Sequence, residues 1–133
     1  MATIQREFHL AADAAHVWDA VRDIGALHTR LVPGFVVDTV VENAARLVTF
    51  ANGMVVRERI VDVDDEHRRI VWAVVGSAQL SHHNASLQLF DDAGVTRARW
   101  ITDVLPHEAA AAVGAMVDHG IAAMQHAVCG NGG

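Results

Sequence analysis

Residues 106–128 read PHEAAAAVGAMVDHGIAAMQHAV, and the periodicity of this stretch decides the fold. At about 100° per residue, Val113, Met116, Val117, Gly120, Ile121, Met124, Ala127 and Val128 fall on one face of a helix, and His107, Asp118, His119, Gln125 and His126 fall on the other. Pro106 suits a first turn because it has no N–H to leave unpaired. Glu108 favours the positive end of the helix dipole, and Gly130 follows the last periodic residue as a stop. At about 1.5 Å per residue the helix spans roughly 35 Å, enough to cross a small sheet. Its apolar face mixes Ala109, Gly120, Ala123 and Ala127 with flexible Met116 and Met124. Small residues there fit either close packing against a sheet or the wall of a cavity.

Upstream of this helix the pattern is almost all strand. Thr3 to Leu10 alternates Ile4, Phe8 and Leu10 with Gln5, Glu7 and His9, and Arg6 is the one imperfect position. Asp13 offers a side-chain cap to a helix carrying Val17, Trp18 and Val21, and a second short helix over Ile24 to Leu31 ends at Pro33-Gly34. Phe35–Val41, Arg46–Phe50, Val55–Val63, Arg69–Val75, Ser81–Phe90 and Val95–Val104 then read as strands. Asn52-Gly53 is the strongest hairpin signal, and Asp64-Asp65-Glu66-His67 and Asp91-Asp92-Ala93-Gly94 are polar turns. Strands joined by tight turns pair antiparallel, and the terminal helix has one place to bury its stripe, the concave face of that sheet. The class is α+β: seven antiparallel strands, with two short helices between the first and second strands and a long helix last.

A chain of 133 residues holds one domain. The expected boundaries are 1–129 for the domain and 130–133 for a disordered tail. A composition of 52% hydrophobic and 20% charged residues fits a globular class, with no apolar run of the roughly 20 residues needed to span a bilayer. Met1 to Leu10 lacks the unbroken apolar stretch of a signal peptide, so a cytoplasmic location is expected. A formal charge of −6 with scattered arginines argues against nucleic-acid binding. Cys129 has no second cysteine to pair with. Nine histidines invite a metal reading, but His82 and His83 are adjacent on a strand and point to opposite faces, while His119 and His126 lie on the solvent side of the helix. No metal and no cofactor are expected. No serine sits in a nucleophile-elbow setting, and Gly76-Ser77 is only a turn.

Alternation assigns the inner face once positions with Arg, Ser or Gln are taken as outward. Arg57 and Arg59 outward put Met54, Val56, Glu58 and Ile60 inward, and Arg69 outward puts Ile70, Trp72 and Val74 inward. Ser86 and Gln88 outward put His83, Ala85, Leu87 and Leu89 inward, and Arg97 and Arg99 outward put Ala98, Trp100, Thr102 and Val104 inward. Glu58 and His83 are the two polar anomalies, flanked by Trp72 and Trp100. An isolated carboxylate in a dry core costs several kcal/mol, comparable to a domain's whole stability of roughly 5–15 kcal/mol. Glu58 must therefore be paired, hydrated or protonated. A solvent-open pocket would satisfy it, with the two polar groups converging between apolar walls, and so would an arginine on a neighbouring strand or a place at the sheet rim. For His83 the competing reading is a hydrogen-bonded rim residue beside His82 and Asn84.

The order of elements, together with Ala12-Asp13-Ala14-Ala15-His16-Val17-Trp18, Val32-Pro33-Gly34, Asn52-Gly53, Val56-Arg57-Glu58-Arg59-Ile60 and Trp100, resembles the START-like or Bet v 1-like superfamily (SRPBCC), the polyketide cyclase/dehydrase and lipid-transport proteins. The resemblance covers nearly the whole chain. It implies a helix-grip fold, a sheet curled around the C-terminal helix with an elongated hydrophobic cavity between them. Ala14 stands where many relatives have proline, and the chain has no tyrosine, whereas aromatase/cyclase members tend to use Tyr, Arg and Ser or Thr.

The primary expectation is a binder of a small hydrophobic, aromatic or polyketide-like molecule, lined by Val56, Glu58, Trp72, His83, Trp100, Met116, Val117, Gly120 and Met124. The alternatives are a cyclase or dehydratase using Glu58 as base and His83 as donor, and a partner-binding module of the Hsp90-activator or toxin–antitoxin type working through its outer surface. Whether the chain forms a homodimer is left open.

Overall fold

Local turn chemistry sets the strand boundaries in the computed structural model, which describes residues 1–131. Asn52 and Gly53 close the hairpin between β3 (Ala45–Phe50) and β4 (Val55–Asp64). Gly53 sits at φ +90°, where a side chain would be strained; its N–H donates to the Phe50 carbonyl, and the Met54 N–H donates to the Asn52 side chain. The remaining strands are β1 (Ala2–Leu10), β2 (Val36–Glu42), β5 (Arg69–Val75), β6 (His82–Asp92) and β7 (Val95–Leu105). They form one antiparallel sheet in the order β1-β7-β6-β5-β4-β3-β2. Because β1 pairs with β7, β1 and β2 are the two edges, and the segment joining them must pass from one edge to the other.

That segment begins with α1 (Ala14–Arg22), capped by Asp13, whose carboxylate accepts the His16 N–H at 2.9 Å. Trp18 and Arg22 both donate to Asp65 at 2.8 Å, tying α1 to the β4–β5 turn. The second helix expected over Ile24–Leu31 takes another form, a 3-10 turn (Ile24–Ala26) followed by a π turn (Leu27–Leu31). Gly25 weakens any α-helix here, and a Cβ on it would lie 3.1 Å from Val41. The wider π turn closes when Val32 N–H donates to the Leu27 carbonyl, and it buries both Leu27 and Leu31.

The long terminal helix, α2 (Ala110–Asn131), follows a 3-10 turn over His107–Ala109. Its expected apolar face is the face turned inward, with Val117, Met124, Ala127 and Val128 buried. Arg6, the imperfect position of β1, shares the helix-facing side with Ile4 and Phe8. It reaches over Gly114 to Asp118 at 2.8 Å, and Gln125 donates to the His9 carbonyl about two turns further along. The helix runs through Gly130 to Asn131 rather than stopping at Gly130. Of the tail expected to be disordered, Gly130 and Asn131 are in this helix, and Gly132 and Gly133 lie outside the described residues. The architecture is the helix-grip fold. Among the described residues no helix is long and apolar enough to cross a membrane.

Candidate functional site

Glu58 and Arg46 are direct partners in the β3–β4 ladder, so their side chains leave the same face of the sheet. That face is the inner one, since Arg46 alternates with buried Val48 and Phe50. Arg46 Nε donates to Glu58 Oε1 at 2.9 Å, with side chains 6% and 9% exposed, and Arg46 Nη1 donates to the Ile24 carbonyl at 3.2 Å. Of the three ways in which a buried Glu58 could be tolerated, the molecule uses pairing with an arginine on the neighbouring strand. Arg46 is an inner residue that the rule sending arginines to solvent does not find. The spacing Arg46, Val48, Phe50 carried the opposite signal.

His83 stands where two strands part. The β5–β6 ladder runs from Arg69 opposite Gln88 to Trp72 opposite Ala85, and the same register continued would set Val74 opposite His83. There the Val74 N–H donates not to a strand carbonyl but to His83 Nδ1, at 3.0 Å. A ring nitrogen that accepts is bare, so the neutral ring carries its proton on Nε2. Burial, with neighbouring His82 adding, pushes the imidazole down to about 4. Val74 is also the ladder partner of Glu58. Glu58 and His83 therefore flank it on either side, about 10 Å apart at the backbone, or two strand spacings.

Aromatic side chains fill the floor between these polar groups and α2. Trp72 and Trp100 meet edge to face at 5.6 Å, and Phe35 and Phe50 do the same at 5.2 Å. Trp100 Nε1 donates to Thr102 Oγ1 at 3.0 Å, which satisfies the indole inside the molecule. A cavity of about 800 Å³ remains between sheet and helix. Val56, Glu58, Trp72, His83, Trp100, Met116, Val117 and Met124 all line it, joined by Arg46, Phe35, Phe50 and Thr102. Gly120 is placed differently. It packs beneath the rings, where a Cβ would lie 3.2 Å from Trp100 Cη2 and 3.4 Å from Phe35 Cε2, so it bears on the cavity through Trp100. Beyond Trp72 and Ala85 the connection 76–80, exposed at Gly76, Ala78 and Gln79, also lines the cavity.

Chemically, the site combines apolar walls with few polar groups, the composition usual for small-molecule pockets. Arg46 is held by Glu58. Arg57, at the margin, is held by Glu42 at 2.9 Å. His83 presents a neutral ring with Nε2–H as its donor. Among the described residues, no three His, Cys, Asp or Glu side chains are grouped to hold a metal ion.

A family model for polyketide cyclase/dehydrase and lipid transport proteins matches residues 1–129. No curated protein matches the sequence significantly. Among solved structures, a protein from Bacillus thuringiensis has a TM-score of 0.85 at 15% identity, covering 96% of this chain and 98% of its own. A START superfamily protein from Mycobacterium smegmatis has 0.78 at 12% identity, covering 95% and 96%. The Zhui aromatase/cyclase from a Streptomyces species has 0.74 at 19% identity, covering 97% and 92%. At these identities the likeness establishes the fold and leaves the activity to the site.

Proposed function

We propose that this chain, which belongs to the polyketide cyclase/dehydrase and lipid transport family, binds a small hydrophobic or aromatic molecule in the cavity between its sheet and α2. The observation that carries this reading is the cavity itself. About 800 Å³ lined by Trp72, Trp100, Val56, Met116 and Val117 lies within the range of drug-sized ligand sites. A domain working only through its outer surface has no need of such a void, which forfeits packing contacts along its whole lining. The partner-binding alternative is correspondingly weaker.

A cyclase or dehydratase acting in the same cavity draws support from the family, but its two candidate groups are constrained. One oxygen of Glu58 is engaged by Arg46, and His83 is neutral with Nδ1 occupied. Both features suit orientation of a bound molecule better than proton transfer. The test is native mass spectrometry of the freshly purified protein for a co-purified small molecule, combined with tryptophan fluorescence on titrating an uncharged apolar fluorophore such as N-phenyl-1-naphthylamine. Binding is expected to shift emission from Trp72 and Trp100. Emission unchanged at saturating fluorophore, with no co-purified mass, would sink the reading.

A further inference from the structure

The charges around the cavity are balanced in pairs. Two arginines line it, and each is committed to a carboxylate, Arg46 to Glu58 inside and Arg57 to Glu42 at the margin. An ionised ligand would leave water and meet no unpaired counter-charge, at a desolvation cost of several kcal/mol. An uncharged ligand escapes that cost. What the wall does offer at His83 is a fixed neutral donor. Val74 N–H occupies His83 Nδ1, so the ring proton is on Nε2, the ring atom with no protein hydrogen bond among the described residues. None of their buried side-chain polar atoms lacks a partner, so Nε2 is open to solvent, on a side chain that lines the cavity.

Resting on the reading of this cavity as a ligand site, we propose that it selects uncharged ligands bearing a carbonyl oxygen, received by His83 Nε2–H, and turns away carboxylates and phosphates. Burial holds the ring neutral well below physiological pH, so His83 supplies a hydrogen bond and no positive charge to attract an anion. Fatty acids and phospholipid headgroups fall in the rejected class.

The test compares three probes of one shape, acetylnaphthalene, ethylnaphthalene and naphthoate, by calorimetry on the full chain at neutral pH. One neutral hydrogen bond is worth about 1 kcal/mol, so the ratio of ketone to hydrocarbon affinity should fall about fivefold from wild type to His83→Phe. Naphthoate should bind at least about tenfold more weakly than the ketone. A ratio unchanged by His83→Phe, or naphthoate bound as tightly as the ketone, overturns the proposal. Nitrogen NMR of the wild-type imidazole supplies a second measurement that needs neither ligand nor variant. Protonated Nε2 with bare Nδ1 supports the assignment, and the opposite tautomer overturns it while leaving the cavity reading intact. If the tautomer is as assigned and none of the three probes binds, the ligand-site reading fails and this proposal falls with it.

Discussion

Truncating Glu58 would strand the Arg46 guanidinium in a site where its side chain is 6% exposed. Losing one partner of a buried pair costs about 3 kcal/mol or more, because the other charge stays uncompensated. Glu58→Leu should therefore lower the urea midpoint markedly, and Arg46→Met combined with Glu58→Leu should recover most of the loss. Equal midpoints for the single and double variants would show that the pair is not the origin of the effect. His83 gives a prediction of a different kind. The unfolded chain takes up its proton near pH 6.5 and the folded chain near 4, so the unfolded state binds more protons between those values. Stability attributable to His83 is intact above about pH 6.5 and declines towards pH 4, by up to about 3 kcal/mol. Exposed His67 acts in the opposite sense: Asp64 raises its affinity for a proton, so its contribution is present below pH 6.5 and fades as the pH rises through its folded value. Asp65 and Asp118, lowered by hydrogen bonds from Arg22 and Arg6, keep their stabilisation until the pH falls below the usual carboxylate range. Denaturation at a series of pH values should thus show His83→Asn flatter than wild type between 6.5 and 4, with the two parallel below that window.

Among the elements, α2 shows most directly how packing bears on the cavity. Gly120 is a poor helix former, and replacing it with alanine would gain up to about 1 kcal/mol from propensity alone. The added Cβ would press on Trp100 at 3.2 Å, and Trp100 borders open space, so the ring has room to yield. Gly120→Ala is expected to stay within about 1 kcal/mol of wild type while changing tryptophan emission. Gly120→Leu demands a larger displacement and should cost about 1–3 kcal/mol. Unchanged emission from both variants would mean that Trp100 is not the ring held by this glycine. The same element shows what a sequence can and cannot disclose. The apolar stripe of α2, the Asp13 cap and the Asn52-Gly53 turn were legible because each expresses a local rule that tertiary structure had no reason to override. The π turn at Leu27–Leu31 was not, because it results from fitting two leucines into the core between Gly25 and Pro33. Arg6 breaks the alternation of β1 and Arg46 breaks the rule that arginine faces solvent for one reason: a partner on α2 or β4 lets each occupy the inner face. Alternation with Val48 and Phe50 carries the signal that Arg46 faces inward; its pairing with Glu58 needs the register of two strands.

At the level of the whole molecule, the cavity is a deficit in packing that the fold sustains. Its lining side chains lack neighbours on one side, so anything that fills the space without strain should stabilise the protein. A bound ligand at a hundred times its dissociation constant would add about 2.7 kcal/mol through mass action. A larger side chain would act permanently. Val56 is half-buried, lines the cavity and sits on β4 two residues from Glu58, so a phenylalanine there points into the void without needing a new backbone path. Val56→Phe should raise stability by about 0.5–2 kcal/mol, as cavity-filling substitutions commonly do, and should weaken binding of acetylnaphthalene. Thermal denaturation and calorimetry on the same sample measure both effects. A stabilised variant that binds more weakly ties the void to function, because the protein then forgoes stability to keep the space open. A variant that gains stability and still binds the ketone at wild-type affinity would place the binding site outside this cavity.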